Sequence, residues 1–153
     1  MMKELLPLIE KIKEEVKEGI EGKKIKHLMT RAIVFSTEFI SPGAVNFLYF
    51  AGKELGRRAV APNLKKFPEG VKEIPKALEA IGYENVKIID ERTVRINGCF
   101  CKGIPQIGVP ICYFEAGLIA GIYEGITEKR AAAKEVKCSG TGEDFCEFKV
   151  VIE

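Results

Sequence analysis

The segment Glu135-Val-Lys-Cys138-Ser-Gly-Thr-Gly142-Glu-Asp-Phe-Cys146-Glu-Phe148 constrains this chain more than any other stretch. It reads as two short strands joined by a glycine-containing turn, with Cys138 closing one strand and Cys146 near the start of the other. A hairpin sets those positions face to face, so both sulfurs reach one ion at the usual Zn–S length of about 2.3 Å. Cys112 follows Pro110 in what the pattern predicts to be the first turn of the next-to-last helix. There the helix dipole and free N–H groups favour a thiolate, the form that binds metal. Cys112, Cys138 and Cys146 with Glu135 make three soft ligands and a carboxylate. That closed four-coordinate set suits a structural zinc.

The plainer reading of a single free cysteine is a small buried hydrophobe, and it applies to each of the five in turn. Disulfides are disfavoured, since the count is odd and no secretory leader is recognisable, which points to reduced cytoplasmic thiols. Cys99 and Cys101 form a C-x-C pair that could supply alternative ligands. Alternate residues of an extended segment point to opposite sides, however, which sets the pair apart from the ligand set. The composition has a thermophilic cast, with abundant Lys and Glu, Gln106 the one glutamine and no Trp. Disulfides do occur inside some hyperthermophiles.

A net charge of +2 over 153 residues, with both signs interspersed, is no nucleic-acid footprint. The apolar stretches are interrupted well short of a membrane span. A soluble, cytoplasmic single domain over 1–153 is expected.

Along the chain, Leu5, Leu8, Ile9, Ile12, Val16 and Ile20 fall at helical spacing, predicting an amphipathic helix within residues 1–22. Residues 31–40 read as a strand, and Ser41-Pro42 as the cap and first residue of a helix over 42–58. A short helix follows over 70–81, entered at Pro75 and stopped at Gly82. Val86–Asp90 and Thr93–Asn97 read as a hairpin, 99–108 as a loop, 110–126 as the most apolar helix, and 130–138 and 145–152 as the closing strands. Strands joined mostly by hairpins argue for an α+β fold, an antiparallel sheet with helices packed against it. Gly117, Gly121 and Gly125 recur along one helix face, a pattern for close helix packing. The lone His27 shows no catalytic partner.

Phe35, Phe39, Phe47, Tyr49, Phe50 and Phe114 gather on the first strand and two helices. They are either plain core or the wall of an apolar ligand pocket, for which Ser36, Asn46, Arg57 and Tyr49 could orient the occupant.

The run Cys112-Tyr-Phe114-Glu-Ala-Gly117-Leu-Ile-Ala-Gly121, followed by Glu135-x-x-Cys138-x-x-x-Gly142-x-x-x-Cys146-x-Phe148, resembles the 4-vinyl reductase domain family, also described as a hydrocarbon-binding domain. The likeness extends over roughly residues 30–152. The resemblance implies the α+β ligand-binding fold of nitric-oxide sensors and of a vesicle-tethering subunit. It implies a zinc held by three Cys and one Glu, here Cys112, Glu135, Cys138 and Cys146. It further implies an aromatic or otherwise apolar ligand near the helix after the first strand, and a homodimer. The leading expectation is a zinc-stabilised domain that senses, carries or sequesters an apolar small molecule. The alternatives are a reductase, or reductase component, acting on a vinyl-bearing tetrapyrrole, and a dimeric assembly adaptor. No nicotinamide or flavin fingerprint is recognisable, which weighs against an autonomous reductase.

Overall fold

Glycines bring two helices of this chain into backbone contact. A Cβ at Gly52, on helix α1 (Ala44–Leu55), would lie 2.1 Å from the carbonyl oxygen of Phe114. One at Gly117, on the long helix Tyr113–Thr127, would lie 1.9 Å from that of Tyr49. No real side chain fits such a gap, so the helix pair exists because these positions are bare. Leu48 and Gly52 are the buried positions of α1, with Gly56 just beyond them, and the other face looks outward. The computed structural model describes residues 43–102, 106 and 108–153. The predicted helix within 1–22, the strand over 31–40, His27, Phe35, Phe39 and the Ser41-Pro42 cap lie outside them. Gly43 is the N-cap residue of α1, and the chain leaves α1 at Leu55 through a wider π turn, Gly56–Val60, instead of continuing as one α-helix to 58.

A 3₁₀ segment, Glu69–Glu73, leads into helix α2 (Ile74–Ala80) with Pro75 in its first turn, where a missing N–H costs nothing. Gly82, at φ +111, turns the chain into strand β1 (Glu84–Asp90), which pairs with β2 (Thr93–Gly98). Helix α3 is the predicted apolar helix, Tyr113–Thr127, buried on nearly every side because it lies between α1 and the sheet. Strands β3 (Ala131–Lys137) and β4 (Cys146–Ile152) close the chain. The four strands run in the order β1-β2-β4-β3, every neighbouring pair antiparallel.

The core lies between sheet and helices, with Ile74, Leu78, Ile96, Leu118, Ile122 and Phe148 completely enclosed. Inward positions alternate along β3 as Ala131, Ala133 and Glu135. Two methyl groups therefore precede a carboxylate on the core face. Lys53 of α1 ties three elements together: its Nζ lies 2.8 Å from Glu124 Oε1 of α3 and donates to the Ala131 carbonyl of β3 at 2.9 Å. Among the described residues no helix is long and apolar enough to cross a membrane.

Candidate metal centre

Three separate pieces of chain deliver thiols to one point. The β3–β4 connection supplies two. A register irregularity between Glu135 and Lys137 ends the ladder, as bulges do, and leads into Cys138. Cys138 then caps a short 3₁₀ turn, Ser139–Thr141, its sulfur accepting the Gly140 N–H at 3.3 Å. Gly142, at φ +98, completes the turn, a backbone state that glycine adopts without strain. The connection is thus an eight-residue loop with its own helical turn, longer than a tight hairpin turn, and Cys146 opens β4 in register with Ile96 of β2. Cys112 is the N-cap residue of α3, one position before the first helical turn in which the sequence pattern puts it.

The third piece is the loop after β2. The amide of Lys102 donates to the Cys99 carbonyl at 3.0 Å, closing a four-residue turn. In a turn the rule of alternating sides does not hold, and Cys101 points inward. Its sulfur lies 3.0 Å from that of Cys146 and 3.8 Å from that of Cys138. Cys112 and Cys146 stand 3.7 Å apart. One ligand atom each from Cys101, Cys112, Glu135, Cys138 and Cys146 falls within 4.8 Å of every other, and all five residues are buried. The structure thus gathers the four residues selected from sequence and adds Cys101, which the extended-segment argument sets aside. Cys99 stops at the edge, 3.4 Å from Cys112 and outside that group.

Glu135 is only 8% exposed. Its Oε2 accepts the backbone N–H of Cys112 at 3.0 Å, while Oε1 is buried without a hydrogen-bond partner. Burial raises the Glu135 carboxyl above its ordinary range, opposed by the Cys112 N–H. Burial also pushes the Cys112 thiol up, and that of Cys99 to about 12. Hydrogen bonds from Cys112, Cys138 and Cys146 instead hold Cys101 well below the usual thiol range. A buried set of four soft sulfurs with an orphaned carboxylate oxygen is the donor chemistry that a zinc ion satisfies. The residues present fit that ion.

One buried acid near the cluster escaped the sequence reading. Glu115, in the first turn of α3 and 1% exposed, accepts the Tyr83 hydroxyl at 3.4 Å, and the Tyr83 ring packs on Phe100 at 4.5 Å. A lone acid in an otherwise apolar helix face was the signal available for it.

The aromatic residues proposed for a ligand wall do not converge. Phe47 and Phe50 share a face of α1 as expected, but it is the outer one, where they are 70% and 64% exposed. Phe114 is half-buried. Tyr49 reaches inward, and its hydroxyl accepts the Ala133 N–H at 3.1 Å. A cavity of about 300 Å³ opens beside it, bounded by Tyr49, Cys112, Tyr113, Ala116, Ala133 and Glu135 among others. It exists where the inward positions of β3 and α3 are alanines. Glu135 forms part of both the cavity wall and the donor cluster.

The 4-vinyl reductase domain family matches residues 93–152. An uncharacterized protein of Methanocaldococcus jannaschii is 32% identical over 166 residues, covering all of this chain and 94% of that protein. Among solved structures, a vinyl-4-reductase family protein from the same organism is similar, with a TM-score of 0.62 at 22% identity over 97% of this chain and 95% of the other. Trafficking protein particle complex subunit 3 from Naegleria fowleri, covalently bound to palmitic acid, has a TM-score of 0.51 at 16% identity, over 98% and 94% of the two chains. Both likenesses show the α+β fold expected from the order of elements.

Proposed function

The chain belongs to the 4-vinyl reductase domain family, and on that premise we propose that it is a zinc-stabilised domain that takes up an apolar or aromatic small molecule. The observation that carries this reading is the double position of Glu135, in the donor cluster and in the wall of an alanine-lined cavity. At about 300 Å³ the cavity matches the lower end of small-molecule sites, enough for one aromatic ring system. The Tyr49 hydroxyl and the Glu135 carboxyl are its orienting groups, and the remaining wall is largely carbon. A protein of the same fold bound to palmitic acid supports an apolar occupant.

Zinc is the metal we assign, with Cys112, Cys138 and Cys146 as three thiolate donors and Glu135 and Cys101 both within reach of the fourth position. Its contribution there is structural, fixing the start of α3 against the β3–β4 connection and hence two walls of the cavity. A second copy of the chain is the partner we assign to the outer face of α1, where Phe47 and Phe50 are exposed. Sedimentation equilibrium gives a dimer on this reading, and a monomer at all concentrations refutes that part of it.

Thermal denaturation with phenols, indoles and fatty acids tests the ligand reading. A ligand that enters the cavity raises the melting temperature by mass action. Ala133→Leu fills the space and abolishes the shift while zinc content stays unchanged. A shift that survives Ala133→Leu places the ligand elsewhere.

A further inference from the structure

We propose that Cys101 is a metal ligand, so that the centre is a four-thiolate site of Cys101, Cys112, Cys138 and Cys146, with Glu135 outside the coordination sphere as the carboxylate that positions Cys112. This rests on the zinc reading above and assigns its fourth donor. Five donors converge where a tetrahedral ion offers four positions, so one must stand aside. A tetrahedron with Zn–S bonds of about 2.3 Å has edges of about 3.8 Å. The Cys101–Cys138 and Cys112–Cys146 separations, 3.8 and 3.7 Å, already equal that edge. The Cys101–Cys146 pair, at 3.0 Å, has to open.

Three further observations favour Cys101 over Glu135. Thiolate is the softer donor and the one that zinc sites with several sulfurs complete themselves with. Cys101 is 1% exposed and stands against the sulfurs of Cys138 and Cys146, so ion binding satisfies it where solvent does not. Glu135 already has a task, since its Oε2 holds the Cys112 N–H. An acceptor at that amide fixes the backbone from which the Cys112 thiolate projects, the way outer carboxylates orient metal-binding side chains. Cys99 supplies the internal contrast: it is as deeply buried, two residues away, and outside the donor group. Ligation by Cys101 also gives the loop between β2 and α3 an anchor on β4 that the β3–β4 connection alone does not provide.

X-ray absorption at the zinc edge of the full, unaltered chain decides the first coordination shell. Four sulfur neighbours and no oxygen is the expected result. Three sulfurs and one oxygen overturns the assignment of Cys101 while leaving the zinc reading standing, and a chain that binds no metal overturns both. Cobalt(II) in place of zinc gives a second readout. Cys101→Ser lowers the sulfur-to-cobalt charge-transfer intensity per bound metal by about one quarter, one of four thiolates being lost, and Glu135→Gln leaves it unchanged. The reverse pattern refutes the proposal. If Cys101→Ser does not fold, the absorption measurement on the unaltered chain stands alone as the test.

Discussion

The backbone N–H of Cys112 donates to Glu135 Oε2 at 3.0 Å, tying the residue that caps α3 to the last inward position of β3. Twenty-three residues separate the two in sequence, and this bond sets how α3 starts over the sheet. An acidic group at a helix N-terminus also meets the positive end of the helix dipole.

Removal of that acceptor leaves a buried amide unpaired. Glu135→Ala is expected to cost about 1–3 kcal/mol, the desolvation penalty of an orphaned buried group. Glu135→Gln, whose amide oxygen can still accept, is expected to cost distinctly less. Denaturant titration of the two variants measures the difference, and equal losses would show that the hydrogen bond contributes little.

The contact between α1 and α3 is expected to be intolerant of a single methyl group. Gly117→Ala places a Cβ where the Tyr49 carbonyl stands, and Gly121→Ala places one against that of Lys53. Both obstacles are backbone, so the helices must separate, at about 1–3 kcal/mol or more. Gly117→Ala also displaces Tyr49, which bounds the cavity, so it reduces ligand-induced stabilisation as well as melting temperature. A Gly117→Ala variant with unchanged stability contradicts the packing described here.

Much of this architecture was legible. The strands and α3 follow from alternation and apolar runs, and the Glu135/Cys138/Cys146 spacing singled out the metal region because those residues share one short connection. Cys101 was not legible, since its inward direction depends on a turn closed by the Lys102 amide, which no periodicity announces. The facing of α1 was legible only in part. Phe47 and Phe50 at i and i+3 share a side, and apolar rings suggested that side was inward. The stripe Leu48, Gly52 and Gly56 was the better signal, because bare positions four apart mark the face that another backbone touches. The pairing of β2 with β4, which joins the two hairpins into one sheet, is a long-range match that neither hairpin encodes alone.

Acid should weaken the junction of α1, α3 and β3 at an identifiable group. Burial raises the Glu124 carboxyl, but the Lys53 ammonium and the Ala131 N–H outweigh it and leave it below its ordinary 4.5. The folded chain therefore releases this proton more readily than the unfolded chain. Its contribution to stability is complete above the unfolded value and is lost as pH falls through the folded one. Glu124→Gln is expected to flatten the pH dependence of stability below about pH 5 and leave the slope above about pH 6 unaltered. An unchanged acid limb in that variant would assign the acid sensitivity to other carboxylates.

Zinc content of the full chain, measured by native mass spectrometry alongside its melting temperature, is the decisive observation. The buried sulfur cluster predicts one zinc per chain, a large loss of melting temperature on chelation, and joint loss of metal and stability in Cys138→Ser and Cys146→Ser, with Cys99→Ser retaining both. A chain that carries no zinc when grown with it, and melts at the same temperature with and without chelator, would contradict a metal-held fold.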